Sequence, residues 1–336
     1  MSVRSTGNRP AILVTGGAGY IGSHCCRALD AAGYLPVCYD NFSTGHQSFV
    51  TGALVTGDIA DKATLARAFA EHDIVAVMHF AASSLVGESV VDPQKYYVNN
   101  LAGTLALLDV MRAGGCNRLV FSSTGAVYGN ADSKALPETY PCAPINPYGA
   151  SKWMIERVLS DYRAAYGLGS FALRYFNASG ADPAGGIGEQ REVETHLIPR
   201  AMMALQGHVP DFAVFGEDYE TPDGTAIRDY IHVTDLAAAH VLALKLLLAG
   251  HSGGVFNLGT GKGFSVREIL AAIAAETGRE VPHVVKPRRA GDPTYLVADA
   301  SAARATLNFH TTHSDLATII RTAWAWHKKA HPLKTR

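Results

Sequence analysis

Short apolar runs punctuate the first half of the chain. They fall at 11–14 (AILV), 36–40 (PVCYD), 53–58 (ALVTGD), 74–81 (IVAVMHFA), 118–123 (RLVFSS) and 170–176 (SFALRYF). Most are continuous rather than alternating, as expected of strands buried on both faces. Stretches of helical length stand between most of them, at 61–72, 94–113 and 147–166, and another follows the first run to about Ala32. Strands alternating with helices predict βαβ units. The fold class is therefore α/β, with a doubly wound parallel sheet.

The pattern changes near residue 177. The segment NASGADPAGGIGEQRE (177–192) is loop-like, dense in Gly, Pro and charge. Beyond it the sequence predicts a helix near 195–206, an irregular stretch over 207–230 and a strongly apolar helix over 234–249. A strand at VFNLGTG (255–261), a helix over 265–277, a strand-like TYLVADA (294–300) and a last helix near 313–328 follow. Two units result: 1–177, and a smaller C-terminal α/β unit over 178–336. The stretch 230–260 is a candidate to pack back on the first unit. Residues 1–10 are polar and read as a loose tail.

Composition narrows the function classes. Of 336 residues 48% are hydrophobic, so a sizeable core can form, and the net charge of −1 argues against a broad nucleic-acid surface. No run reaches the roughly 20 apolar residues of a membrane helix, and the N-terminus lacks a signal-peptide core. Five cysteines without a C-x-x-C pair fit free thiols in a reducing cytoplasm. His310 and His313 have ligand-like spacing, but nothing completes a set, so no metal is expected and both are read as surface residues. GTGKGFS (259–265) fails as a phosphate loop because Gly263 follows Lys262 where Ser or Thr is needed.

The chemistry-bearing motif comes first in the chain. In ILVTGGAGYIG, Gly16, Gly19 and Gly22 fit G-x-x-G-x-x-G, and Gly17, Gly19 and Gly22 fit G-x-G-x-x-G. Directly after a strand and at a helix start, such glycines let the backbone approach a pyrophosphate. Asp40 ends the second strand, 18 residues after Gly22. A carboxylate there accepts hydrogen bonds from ribose hydroxyls and repels a 2′-phosphate, and no Arg or Lys follows closely, which favours NAD. Asp58, after the third strand, is placed to reach adenine in the same way. Capping a loop is the plainer role for either aspartate.

A second constellation lies at 122–152. Ser122, Ser123 and Thr124 end a strand, and strand C-termini of a parallel sheet face the ligand crevice. In NPYGASKW, Asn146 suits a helix cap and Pro147 its first position, so Tyr148 and Lys152 share one helical face. Lys152 is expected to lower the Tyr148 pKa from about 10 by favouring the phenolate. An ordinary capped helix with a solvated Lys is the alternative.

A hydroxyl, a Tyr and a Lys on such a fold resemble the extended short-chain dehydrogenase/reductase superfamily. The segments VTGGAGYIGSH, MHFAASSLVGESV, YYVNNLAGTL, FSSTGAVYG, NPYGASK, LRYFNASGAD, IRDYIHVTDLA, FNLGTG and RRAGD run in order through nearly the whole chain. Together they resemble the UDP-glucose 4-epimerase (UDP-galactose 4-epimerase) family. The resemblance implies an NAD-binding Rossmann unit and a nucleotide-sugar unit, in a cytoplasmic homodimer with no membrane or nucleic-acid partner. It implies that Tyr148, Lys152 and Thr124 are catalytic. It implies NAD contacts for Tyr20, Ile21, Asp40, Asn41, Phe42, Ser43, Thr44, Gly45, Asp58, Ile59, Phe80, Ala81, Ala82, Ser84, Asn99, Tyr148, Lys152 and Phe176. Nucleotide-sugar contacts are implied for Thr124, Tyr148, Asn177, His196, Leu197, Ala213, Phe215, Arg228, Arg289, Asp292 and Leu296.

Two arginines suit a diphosphate. The alternative is surface pairing of Arg228 with Asp229 and of Arg289 with Asp292. The family often carries Lys where Ser84 stands, which would remove one cation near the cofactor. Many members have Ser at Thr124 and Asn at His196, and each replacement keeps a hydrogen-bonding group. Related dehydratases carry Asp and Glu directly after the Thr. Gly125 and Ala126 stand there, and neither transfers a proton. Other UDP sugars remain as substrates, with Leu296 lining the sugar pocket. A redox-sensing regulator on this fold would typically lack the Tyr or the Lys.

Overall fold

The apolar runs of the first half fold as β1 (Ala11–Thr15), β2 (Leu35–Asp40), β3 (Ala53–Thr56), β4 (Ile74–His79), β5 (Arg118–Thr124) and β6 (Gly169–Tyr175). Later strands are β7 (Asn177–Ser179), β8 (Ala213–Phe215), β9 (Ile227–His232), β10 (Gly253–Leu258), β11 (Gly263–Ser265), β12 (Val284–Lys286) and β13 (Tyr295–Leu296). The helices are α1 (Tyr20–Ala31), α2 (Lys62–His72), α3 (Val86–Val91), α4 (Pro93–Tyr96), α5 (Gly103–Ala113), α6 (Pro147–Tyr166), α7 (Leu197–Leu205), α8 (Val233–Leu248), α9 (Val266–Thr277), α10 (Ser301–Leu307) and α11 (Leu316–Ala330). The computed structural model describes residues 9–131, 135–289 and 292–332. Most of the expected tail, residues 1–8, and two residues of the RRAGD segment lie outside the described residues.

The main sheet is parallel throughout, in the order β10–β6–β5–β4–β1–β2–β3. Its order reverses between β1 and β4, which opens a crevice at the strand C-termini. Side-chain alternation along β1 splits the core in two. Ile12 and Val14 pack with Cys25 and Leu29 of α1 and with Leu236 and Leu244 of α8, while Leu13 packs with Leu65 of α2, Leu107 of α5 and Ile155 of α6. Burying each such side chain contributes about 1.5–3 kcal/mol. The stretch 230–260 joins this assembly: β10 pairs with β6 from Gly253↔Ser170 to Leu258↔Tyr175, and α8 packs on α1.

A third core holds α7, α9 and α11 together through Ile198, Met202, Ile269, Ile273, Ile319 and Ile320. Beside it, β9 pairs with β11, β13 and β7, and β8 pairs with β12. The expected irregular stretch 207–230 is thus partly strand. TYLVADA yields only the short β13 and a bridge at Ala298, and α10 follows it unpredicted. In GTGKGFS, the N–H groups of Thr260 and Gly261 bind the Asp229 carboxylate at 2.9 and 3.0 Å. His310 is exposed, but His313 is half-buried with its ring 5.5 Å from that of His232.

Candidate active site

A cavity of about 920 Å³ runs along the crevice and under the loop that precedes α7. Every cofactor candidate named above lines it except Gly17 and Asp58. The glycine turn forms one end. Gly16 has φ +72°, and a Cβ there would lie 2.6 Å from the Ala81 nitrogen. At Gly22 a Cβ would lie 2.1 Å from the Gly16 oxygen. Helix α1 begins here with no side-chain cap, so its first N–H groups are available to a phosphate. Asp40 is buried at the end of β2, where it accepts from Ala18 N at 3.0 Å and Phe42 N at 2.8 Å. Phe42 itself is held at φ 57°, a conformation few side chains adopt without support. This donor set fits a dinucleotide with free ribose hydroxyls. Asp58 instead accepts from Asn41 Nδ2 at 2.8 Å and orients that residue.

Asn146 caps α6, its Oδ1 accepting from Gly149 N at 2.8 Å, with Pro147 in the first turn. The cap aims Tyr148 and Lys152 into the cavity. Lys152 is buried, donates from Nζ to the Ser122 carbonyl at 2.9 Å and lies 4.8 Å from the Phe121 ring centre. Burial lowers its pKa to about 7. Tyr148 differs from expectation. Burial raises its pKa, while a hydrogen bond from Thr124 and the charge of Arg191 act in the opposite direction. Lys152, one turn further along α6, directs its Nζ to the Ser122 carbonyl. Gly125 follows Thr124, and a Cβ there would lie 2.9 Å from the Phe176 ring. An acidic side chain at 125 would thus collide with the cavity wall.

On the sugar side, Thr124, Asn177, His196, Leu197, Arg228 and Leu296 line the cavity, whereas Ala213, Phe215, Arg289 and Asp292 do not. Neither of the two alternative surface ion pairs forms among the described residues. Arg228 is bonded to Asp292, and Asp229 is fully buried beneath the 260–261 turn. Arg289 lies over the Phe215 ring at 3.9 Å. Asn177 Oδ1 is buried with no hydrogen-bond partner among the described residues, an acceptor that a ligand donor would satisfy.

The loop before α7 contributes groups that the sequence did not reveal. Glu189 Oε1 lies 3.1 Å from Arg191 Nε and 2.7 Å from His196 Nδ1. Arg191 also reaches Ser84 Oγ at 3.4 Å, so a cation does stand at that wall. Burial opposes ionisation of Glu189, yet His196 and Arg191 hold its carboxyl at about 2. Burial and the Glu189 charge push Glu194 up to about 7. The Glu189 charge raises His196 against burial. Glu189, Glu194 and His196 lie within 4.8 Å of one another. Their lone pairs are engaged by Arg191 and by the N–H groups of Thr195 and His196. In the sequence these charges look like an ordinary solvated loop, because no periodicity marks which of them turn inward. Asn100 was missed too. It sits in a π-helical segment, Tyr97–Ala102, and bonds Ser83 and Ser151 beside the cavity.

The fold and site define a dinucleotide-dependent α/β enzyme in which a Tyr, a Lys and a hydroxyl share one cavity with a glycine turn. The chain belongs to the NAD dependent epimerase/dehydratase family, whose model matches residues 12–259. It is 51% identical over 321 residues to a UDP-glucose 4-epimerase of Rhizobium leguminosarum bv. trifolii, covering 95% of this chain and 98% of that protein. The structure of a Brucella ovis UDP-glucose 4-epimerase in complex with NAD is similar, with a TM-score of 0.92, 55% identity and coverage of 94% and 97%. A Stenotrophomonas maltophila UDP-glucose-4-epimerase with bound NAD and formylated UDP-arabinopyranose gives a TM-score of 0.93 at 41% identity, covering 96% and 98%.

Proposed function

We propose that this chain is an NAD-dependent 4-epimerase that interconverts UDP-glucose and UDP-galactose through a transient 4-keto sugar. The observation that carries this reading is the convergence of Tyr148, Lys152 and Thr124 in the cavity of the glycine turn and Asp40. NAD contributes reversible hydride exchange at C4, chemistry that no side chain here provides. Tyr148 accepts the O4 proton and returns it when the opposite face is reduced. Thr124 hydrogen-bonds the phenol and holds the O4 oxygen beside it. Lys152, tied to the Ser122 carbonyl, orients α6 and adds positive charge beneath the site. Arg228, His196 and the free acceptor of Asn177 hold the nucleotide sugar. Leu296, of intermediate size on the cavity wall, favours a second reading in which another UDP sugar is the main substrate.

Incubation with UDP-galactose, UDP-N-acetylgalactosamine, UDP-xylose and UDP-glucuronate, without added NAD, tests both readings by chromatography of the products. UDP-glucose from UDP-galactose is expected. Rapid pentose turnover with none on UDP-galactose would reverse the ranking. Tyr148→Phe is expected to lose about 10²–10⁴-fold in kcat. Near-normal turnover in that variant would sink the assignment of the base. A homodimer is supported by exposed Val98 and Leu105, two turns apart, and by Trp153 and Met154 on the adjoining α6. Light scattering on the purified chain tests it. Five unpaired cysteines support a cytoplasmic location.

A further inference from the structure

Three consecutive residues of the loop before α7 are pinned to three different parts of the fold. The Glu189 carbonyl accepts from Trp326 Nε1 of α11 at 2.8 Å. The Gln190 carbonyl accepts from His46 Nε2, in the loop after β2, at 3.0 Å. Arg191 Nη1 donates to Ser84 Oγ, in the loop after β4, at 3.4 Å. Strands β2 and β4 lie on either side of β1, so His46 and Ser84 stand on opposite banks of the crevice. A segment bonded to both crosses it.

Both banks are fixed in turn. His46 N donates to the Ala18 carbonyl of the glycine turn at 2.9 Å. The His46 ring lies 4.9 Å from that of Phe49, which meets Trp326 at 5.5 Å. On the other bank Ser83 N donates to Asn100 Oδ1 at 2.8 Å, and the Ala81 backbone abuts Gly16. The crossing segment is seated as well. A Cβ on Gly188 would lie 2.4 Å from the Trp326 ring, and Arg191 Nε is braced by Glu189 Oε1 at 3.1 Å. Gln190 and Arg191 line the same cavity as Gly19, Asp40 and Ser84.

We propose that Gln190 and Arg191 form a clasp over the dinucleotide, and that NAD leaves only after the bonds to His46 and Ser84 break. The clasp acts on the exit of the cofactor and not on the reacting atoms. It suits a cycle in which hydride returns to the sugar, because NAD then has no need to exchange between turnovers.

The test is the exchange of bound NAD for isotopically labelled NAD in the full chain, with no sugar present. It compares the unaltered protein, His46→Phe, Ser84→Ala and the double variant. His46→Phe keeps a ring against Phe49 and removes the donor, and Ser84→Ala removes the acceptor of Arg191. Each single variant is expected to exchange about fivefold faster, and the double variant about twentyfold faster. Exchange is also expected to be nearly independent of urea below the unfolding transition, since opening a clasp exposes little surface. A double variant that exchanges at the unaltered rate overturns the proposal. So does exchange that rises with urea at the slope of global unfolding, because the whole fold then releases the cofactor. Free exchange in the unaltered protein overturns it too. If the double variant fails to fold by circular dichroism, the two single variants decide by the same criteria. The readout is the cofactor alone, so failure to turn over UDP-galactose would strike the substrate assignment and not the clasp.

Discussion

One methyl group decides the entrance to α1. A Cβ at Gly22 would sit 2.1 Å from the Gly16 oxygen, and the obstacle is backbone, which cannot rotate away. Gly22→Ala must therefore open the turn at a cost of about 1–3 kcal/mol. The purified variant is expected to retain about a tenth or less of the NAD bound by the unaltered protein, read by cofactor release on denaturation. Full retention would show that the turn does not cradle the phosphates. This glycine and the Tyr148–Lys152 pair were legible in the sequence for one reason: their geometry is local, set by a turn or by one helical repeat. Arg191 and Glu189 were not, because no periodicity in their loop marks which charges turn inward and Ser84 comes from a separate part of the fold. Asp58 shows a tie that its position in the sequence did not suggest. It follows β3, and its carboxylate accepts from Asn41 Nδ2 at 2.8 Å.

Among the elements, strands built on a continuous apolar run were readable and short strands without one were not. β9 is the clearest example. Its sequence IRDYIH reads as loop, yet it is the centre of the smaller sheet. The misleading residue is Asp229, fully buried, which accepts from Thr260 N, Thr260 Oγ1, Gly261 N and Ala298 N at 2.9, 2.8, 3.0 and 3.2 Å. A carboxylate that organises two loops looks, in one dimension, like a solvated charge. Asp229→Asn would place an NH₂ group against donors, and a loss of about 2–4 kcal/mol is expected from the urea midpoint at unchanged slope. A loss below about 0.5 kcal/mol would mean that the turn organises itself without the carboxylate. By contrast α6 was read to the residue, because Asn146, Pro147 and Gly167 mark both ends chemically.

Across the whole molecule, buried histidines set the response to acid. Burial holds His24, His232, His240 and His327 at about 4, and His79 at about 3. In the unfolded chain each titrates near 6.5, so below that pH the unfolded state binds more protons than the native state. Stability is therefore whole above about pH 6.5 and is lost as pH falls towards 4. Glu194 and His196 run the other way, since both are raised in the native state and favour it as pH falls through 7. Five groups outweigh two. A fall in Tm of about 5 °C or more between pH 7 and pH 5 is expected by calorimetry. A flat profile would mean that these imidazoles protonate without unfolding. A different consequence follows from β10, which closes the sheet against β6 after the chain has passed through α7, α8 and β9. A ribosome delivers the chain from its N-terminus. Throughout translation from Tyr175 to Gly253, the growing product carries a sheet with one raw, apolar edge open to pairing with a neighbour. A message cut after residue 177 would leave that edge bare for good, so the seven-stranded sheet completes only in a chain that has already made α7, α8 and β9.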